Sequence, residues 1–547
     1  MFTVLPKQTV SMYTRDGVRL DADVYRPDTT GDFPVLLMRQ PYGRKIASTV
    51  VYAHPSWYAA HGYIVVIQDV RGRGSSEGRF ELFAQEIADG EDTINWVAQL
   101  PGSNGKVGMY GFSYQGMTQL YAAVNQPSAL KAIAPAMVGY DLYHDWAYEG
   151  GAFCLQMNLT WALQLASENA RRQNDLSAYQ QLTQAVQNLP VWDTTPNYPG
   201  VMRNIAVDSH YHQWLTKPPE DEYWRNLSPC NLLGSVDLPM FHIGGWFDTH
   251  LRGTLKLFQA MSSRSQYRQQ LVVAPWGHLP WGRKVGGVDF GENALSPIDR
   301  MQIAWFDHHL KDIDVGLSEQ PPVWLFEMGN NIWQSFDDFP CSEKNVYYLT
   351  STGLAAIRED EGYLTPEPPS QVSIDTFVHD PWRPVPSLGG HAGFPAGMFE
   401  RSHLDGRADV LTYTSAPLTA DLYIRGEVIA EIYAEADQPS FDLSLVLSQV
   451  NRNGTVFNIT QGYWRCHASS SGEVYKINLQ PTCICIPQGC SIRLSISAAS
   501  FPAYSLNPGI KVPLDTQNLL DAEIITVKIA CGGDMQTGVT GLSRILL

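Results

Sequence analysis

Residues Gly111-Phe112-Ser113-Tyr114-Gln115-Gly116 follow a short apolar run at 107–110 and precede a helix-like stretch at 117–124. That order describes a nucleophile elbow, a tight strand-to-helix turn that holds a serine hydroxyl away from the backbone, where a base can reach it. The glycines give the helix room to pack against neighbouring strands. A helix start also presents free N–H groups and the positive end of the helix dipole, so an oxyanion forming beside Ser113 would meet the N–H of Tyr114. The fifth position is Gln115 rather than the glycine of the common G-x-S-x-G. The motif alone therefore leaves a plain Gly-Ser turn open, and the decision falls to partner residues.

A serine nucleophile needs a base and a group to orient that base, and in this kind of fold they follow in the order acid, then histidine. Residues 238–248, Leu-Pro-Met-Phe-His-Ile-Gly-Gly-Trp-Phe-Asp, read as an apolar strand running into a Gly-Gly turn, with Asp248 at its carboxyl end. After one helix-length segment at 251–262, residues 270–278, Gln-Leu-Val-Val-Ala-Pro-Trp-Gly-His, repeat the pattern and leave His278 on the following loop. Strand ends on one edge of a parallel sheet converge, so Ser113, Asp248 and His278 can meet although they are distant in sequence. Of fourteen histidines, His278 is the best placed. His242 lies inside a strand and reads as core, His250 follows the acid too closely to approach Ser113, and His308 and His309 fall on a later helix. Upstream, residues 33–39 read as a central strand ending in Gln40-Pro41-Tyr42-Gly43-Arg44, the loop position that completes an oxyanion hole in such hydrolases. Tyr42 would offer its phenol there; the alternative is a tyrosine packed on a turn.

With these residues placed, the chain resembles the superfamily of cocaine esterases and X-prolyl dipeptidyl-peptidases, which also holds glutaryl acylases and α-amino acid ester hydrolases. The resemblance spans nearly the whole chain: the Pro41-Tyr42 loop, Gln68-Asp69-Val70-Arg71-Gly72-Arg73-Gly74-Ser75-Ser76-Glu77-Gly78, the segment 89–96 leading to Asn104-Gly105-Lys106-Val107-Gly108, the G-x-S-Y-x-G elbow, Gly245-Trp246-Phe247-Asp248, Pro275-Trp276-Gly277-His278, and Asp380-Pro381 with residues 384–390. It implies Ser113 as nucleophile, Asp248 and His278 as its partners, and an oxyanion hole made by the Tyr114 N–H and the Tyr42 hydroxyl. It also places the second elbow glycine one residue later, as Gly116 stands here. One departure is Leu100-Pro101-Gly102, where relatives often carry Gln-Pro-Trp, in a loop beneath the elbow. The glycines and arginines of residues 69–74 invite a phosphate-binding reading, but their spacing matches neither the P-loop nor the dinucleotide fingerprint. The resemblance accounts for them as a structural loop near the site.

At 547 residues the chain exceeds what one core organises, so two or three domains are expected. Strands and helices alternate to about residue 137, the signature of a mostly parallel sheet covered by helices. Between about 140 and 236 the pattern turns helical; Leu176, Tyr179, Leu182, Val186 and Leu189 recur at three and four residues, and Asn197-Tyr198-Pro199-Gly200 marks a turn. An insert between nucleophile and acid reads as a helical cap over the pocket, and Trp146, Trp161, Trp192, Trp214 and Trp224 are candidates to line it. The sheet resumes at 236 and closes with a helix starting at Ser296-Pro297-Ile298-Asp299 and running to Lys311. From about Asp314 the texture becomes β, with runs at 409–413, 420–424, 428–433, 441–450, 456–460 and 492–496 and Asn453-Gly454 placed as a tight hairpin turn. The expected fold is thus an α/β-hydrolase domain (residues 1–140 and 237–313), an inserted helical cap (141–236) and a C-terminal all-β jelly-roll sandwich (314–547) that walls the pocket.

A net charge of −17 argues against nucleic acid as a partner, and no run in the sequence approaches the length of a membrane span. No basic n-region followed by an apolar stretch opens the chain, so a cytoplasmic protein is expected. The eight cysteines are scattered without the paired clusters of a zinc site and read as reduced thiols. No metal or cofactor is expected, and homo-oligomer formation is left open. The expected partner is a small-molecule ester or amide, cleaved by acyl transfer to serine; X-prolyl dipeptidyl-peptidase and acylase activities are the alternatives. A non-enzyme reading, a dead scaffold whose β-domain binds a glycan or a protein, is the remote one. Asp248 is followed by Thr249, His250, Leu251 and Arg252, so no carboxylate sits beside it to read a substrate ammonium. Uncharged or acidic acyl groups are therefore expected over free α-amines, with Asp141, Asp145 and Glu149 as the carboxylates that would reverse this.

Overall fold

The computed structural model describes residues 1–45, 49–340, 345–358, 360–467, 472–532 and 543–547. Its first sheet holds ten strands: β1 (Gln8–Tyr13), β2 (Arg19–Tyr25), β3 (Phe33–Gln40), β4 (Ile64–Asp69), β5 (Ser103–Phe112), β6 (Leu130–Ala136), β7 (Met240–Phe247), β8 (Gln269–Gly277), β9 (Val323–Glu327) and β10 (Ile332–Phe336). Their spatial order is β1-β2-β4-β3-β5-β6-β7-β8-β9-β10. From β4 through to β9 every neighbouring pair is parallel, while β1, β2 and β10 join antiparallel at the edges. β4, β7 and β8 are buried along their whole length, which is why they read as continuous apolar runs rather than alternating ones.

Alternate side chains of the central strands serve two different cores. Leu36, Met38, Val65 and Ile67 face a core that continues into the C-terminal domain, through Val428, Ile432 and Ile477 among others. Val35, Leu37, Ile64 and Val66 face the opposite side, in a core that continues into the cap through Leu155, Leu159 and Trp214. One sheet thus joins the cap to the β-domain.

The cap falls between β6 and β7, with two long helices, Leu155–Arg172 and Leu176–Gln187, followed by four short ones. Asp175 caps the second by accepting from the Ala178 N–H at 3.0 Å. The segment 251–262 forms the helix Leu251–Ser262, and Ile298–Lys311 ends where the sequence places it.

Three readings of the β-rich half change. The first sheet does not stop at residue 313, because β9 adds parallel to β8 and β10 adds antiparallel to β9. The runs at 420–424 and 428–433 are one strand, Leu422–Ala436, whose register with Glu473–Ile486 shifts between Gly426 and Val428. Asn453-Gly454 is not a two-residue turn: Val450 pairs with Val456, and Asn451 N–H donates to Thr455 O across a wider loop. The C-terminal domain is predominantly β: among the described residues eleven strands are hydrogen-bonded into one network that is antiparallel except between Tyr363–Thr365 and Leu411–Ser415.

The seven described cysteines are free thiols, and Cys341 lies outside the described residues. Among the described residues no helix is long and apolar enough to cross a membrane, and no group of His, Cys, Asp and Glu is arranged to hold a metal.

Candidate active site

β5 ends at Phe112 and the next helix begins at Tyr114, leaving Ser113 between them at φ 59°, ψ −127°. A non-glycine residue rarely adopts such a backbone, and it persists only where its surroundings impose it. Here Ser113 N–H donates to Ala136 O at 2.9 Å, and all ten residues of the helix Tyr114–Ala123 are buried. Gly116 explains the elbow's unusual spacing: a Cβ there would lie 2.5 Å from Val138 Cγ1 and 2.8 Å from Ala136 O. The elbow is also pinned from below. The Tyr114 phenol donates to buried Glu86 at 2.8 Å, and Glu86 is paired with fully buried Arg39 at 2.6 Å. The Tyr114 N–H, first in its helix, has no intrahelical acceptor and stays available.

β7 delivers Asp248, and the loop after β8 delivers His278. Asp248 is fully buried, and its Oδ1 accepts from His278 Nδ1 at 2.8 Å. That bond assigns the Nδ1 proton and leaves Nε2 as the basic nitrogen. The turn carrying the acid is gripped from the C-terminal domain: Gln480, on the strand Glu473–Ile486, donates from Nε2 to Trp246 O at 2.9 Å and to Asp248 O at 3.0 Å.

Tyr42 stands across the same space. Its hydroxyl accepts from the Trp161 indole at 3.1 Å. The ring is 38% accessible, but it faces a cavity rather than bulk water. Burial accordingly pushes the phenol pKa up to about 12, against the opposing effects of the Trp161 donor, the Arg73 charge and the Ser113 hydroxyl. At neutral pH it is protonated and able to donate.

Tyr42, Ser113 and His278 line one cavity of about 760 Å³, walled by Trp146 and Trp161 from the cap and by His391 and Phe394 from the C-terminal domain. Of the five candidate tryptophans, only Trp146 and Trp161 line it; Trp214 and Trp224 are core, and Trp192 is exposed. His242 is buried away from the cavity, its Nε2 against Gln269 Oε1 at 3.1 Å, and burial lowers its pKa to about 4. His250 does enter the cavity, its ring 5.1 Å from that of His278, and burial likewise holds its pKa to about 4. His308 and His309 lie on the Ile298–Lys311 helix.

The three cap carboxylates are already engaged. Asp145 pairs with Lys256 at 2.6 Å, and Asp141 accepts from the N–H groups of Tyr143 and His144. Glu149 is met by Arg252 at 2.8 Å, His391 at 2.9 Å and the Tyr504 hydroxyl at 2.6 Å. Burial would raise the Glu149 pKa, but Arg252 and His391 outweigh it and hold the carboxyl down to about 2. Gln480 and His391 escaped the sequence reading, because nothing local marks a residue whose partners lie more than two hundred positions away.

The fold and this constellation define a serine hydrolase of the α/β-hydrolase class with an appended β-domain. The profile of the X-Pro dipeptidyl-peptidase (S15) family matches residues 16–280, and that of the X-Pro dipeptidyl-peptidase C-terminal non-catalytic domain matches 316–531. The chain is 32% identical over 522 residues to the cocaine esterase of Rhodococcus sp. (strain MB1 Bresler), covering 90% of each chain. A putative serine esterase of Mycobacterium bovis is 26% identical, again over 90% of each. Among solved structures, an aminopeptidase from a marine sediment Thaumarchaeota archaeon superimposes with a TM-score of 0.80 at 23% identity, over 100% of this chain and 96% of the other. An α-amino acid ester hydrolase does so with 0.78 at 22%, with the same coverage. The chain belongs to the cocaine esterase and X-Pro dipeptidyl-peptidase family of serine hydrolases.

Proposed function

We propose that this protein hydrolyses carboxylic esters, and activated amides, through an acyl-enzyme on Ser113. His278, oriented by Asp248, takes the Ser113 proton at Nε2 as the hydroxyl attacks the acyl carbonyl. The Tyr114 N–H and the Tyr42 hydroxyl receive the developing oxyanion. The imidazolium then protonates the leaving group, and water, activated by the same imidazole, releases the acid. The observation that carries this reading is the 2.8 Å His278–Asp248 bond on the wall of the cavity that holds Ser113 and Tyr42. A substrate ammonium would need a free carboxylate; Asp145 and Glu149 are each ion-paired with a cation of the protein, and Asp141 accepts two backbone N–H groups. Uncharged acyl groups are therefore the preferred substrates. The test is a matched pair of esters, one with a free α-amine and one with that amine acylated, alongside an X-Pro dipeptide amide. Higher kcat/KM for the acylated ester is expected; faster turnover of either free-amine substrate overturns the preference.

A further inference from the structure

Aromatic side chains beside Ser113 form an arc that runs from the base to the oxyanion site. The ring of His250 stands edge-on to that of His278, with 5.1 Å between centroids and 80° between planes. Trp146 packs against His250 at 4.0 Å and Trp161 against Trp146 at 5.3 Å, and the Trp161 indole donates to the Tyr42 hydroxyl. All of these residues line the catalytic cavity. A carbonyl that turns its oxygen to Tyr42 and its leaving group to His278 Nε2 lays its own substituent against the arc between them.

The indoles of that arc can only donate; His250 gives it an acceptor. His250 Nδ1 lies 3.4 Å from Asp145 O, and a carbonyl oxygen only accepts, so Nδ1 carries the proton and Nε2 keeps the lone pair. Burial holds the imidazole neutral, with its pKa lowered to about 4. Among the described residues Nε2 has no hydrogen-bond partner. Five other histidines, His210 and His379 among them, have an unpartnered ring nitrogen sealed away from solvent; Nε2 of His250 is not sealed, and it opens on to the cavity that its ring lines. A desolvated acceptor costs free energy until a donor reaches it. Among the described residues no lysine or arginine lines the cavity to supply that donor, and no aspartate or glutamate to compete for it.

Given acyl transfer to Ser113, on which this rests, we propose that His250 selects the acyl group: its Nε2 accepts a hydrogen bond from a neutral donor on the carbon next to the scissile carbonyl, a hydroxyl or an amide N–H. The preferred substrates are then 2-hydroxy acyl and N-acylamino acyl esters. The short gap between the two imidazoles sets the reach, because a donor on the carbon adjoining a carbonyl held at His278 lies within hydrogen-bonding range of a ring that close. A substrate ammonium also donates, but it brings a charge that nothing lining the cavity neutralises.

The test compares 4-nitrophenyl glycolate with 4-nitrophenyl propionate, in which a methyl group replaces the hydroxyl at similar size. Each kcat/KM is divided by the hydroxide-catalysed rate constant of the same ester, which removes intrinsic reactivity. The full-length wild-type protein is expected to favour glycolate by about tenfold on that scale, the cost of leaving a buried acceptor unpaired. His250→Phe keeps a ring without the acceptor and should abolish the preference; His250→Gln, whose Oε1 restores an acceptor, should recover most of it. The absence of a wild-type preference overturns the proposal, whether or not the variants fold. So does a preference that His250→Phe leaves intact, or one that His250→Gln loses as fully as His250→Phe. Failure of the acyl-transfer reading shows itself separately, as turnover of both esters by Ser113→Ala at the wild-type rate, and the proposal falls with it.

Discussion

One helix, Leu155–Arg172, divides two cavities: Trp161 and Gln164 face the first, and Leu165, Ala166 and Asn169 face the second. Around the first, each buried charge has a partner of opposite sign or an imidazole, as in Asp248 with His278 and Glu149 with Arg252 and His391. In the wall of the second, Arg73 Nε and Nη2 are buried without a hydrogen-bond partner. A paired buried ion fixes geometry, because moving either partner strands the other in a medium that solvates it poorly. An unpaired one positions nothing and costs the fold its desolvation.

The sharpest way to break that contrast is at the nucleophile. Ser113→Ala should reduce kcat on the order of 10⁶-fold and His278→Ala nearly as much, with the double variant no worse, since the members act as a unit. Labelling of Ser113→Ala by a serine-directed phosphonate at the wild-type rate would refute the assignment. Tyr42→Phe should fold normally and lose about 10²–10³ in kcat at little change in KM, the scale of one oxyanion donor. A loss confined to KM would make Tyr42 a substrate-binding residue instead.

Smaller effects sharpen the paired side. Gln480→Leu removes two bonds to the acid's turn; at about 1 kcal/mol each, a fall in kcat of up to about thirtyfold follows if the grip positions Asp248. The limb of the kcat/KM profile assigned to His278 should shift with it. An unchanged profile with a lowered Tm would reduce Gln480 to a docking bond. Glu149 predicts a pH dependence. Its folded pKa of about 2 lies below the ordinary 4.5, so its stabilisation is complete above about 4.5 and disappears as pH falls towards 2. Glu149→Gln should flatten the acid limb of the stability curve; an identical limb would discount the ion cluster. Arg73→Met gives the smallest expected change and the opposite sign, leaving Tm equal or higher. A drop of several degrees would mean that the arginine is paired after all.

Much of this was legible in the residue order, for a physical reason. Strand-to-helix turns are local, so Ser113, Asp248 and His278 could each be placed from a dozen neighbours, and the helices 251–262 and 298–311 ended where their caps and periodicity put them. Pairing between distant strands carries no such signal. The β texture after residue 314 was visible, yet nothing local says that Val323–Glu327 hydrogen-bonds β8 rather than the β-domain. Asn453-Gly454 has the composition of a tight turn, but Val450 pairs with Val456 and Asn451 Nδ2 donates to Thr455 Oγ1, so the chain closes around a wider loop. Arg73 was read as part of a structural loop, and its missing partner is a property of three-dimensional surroundings alone.

The hold of Gln480 on the backbone of residues 246–248 bears on recombination. A chimera that joins this hydrolase half to a relative's β-half keeps the nucleophile, the base and the sheet that carries them. It keeps a firmly seated acid only if the incoming strand brings an amide to the same spot. Crossover libraries cut just after β10 should thus sort into active and sluggish members by what occupies a single inward-facing position in the donated half, whatever the overall similarity of the parents.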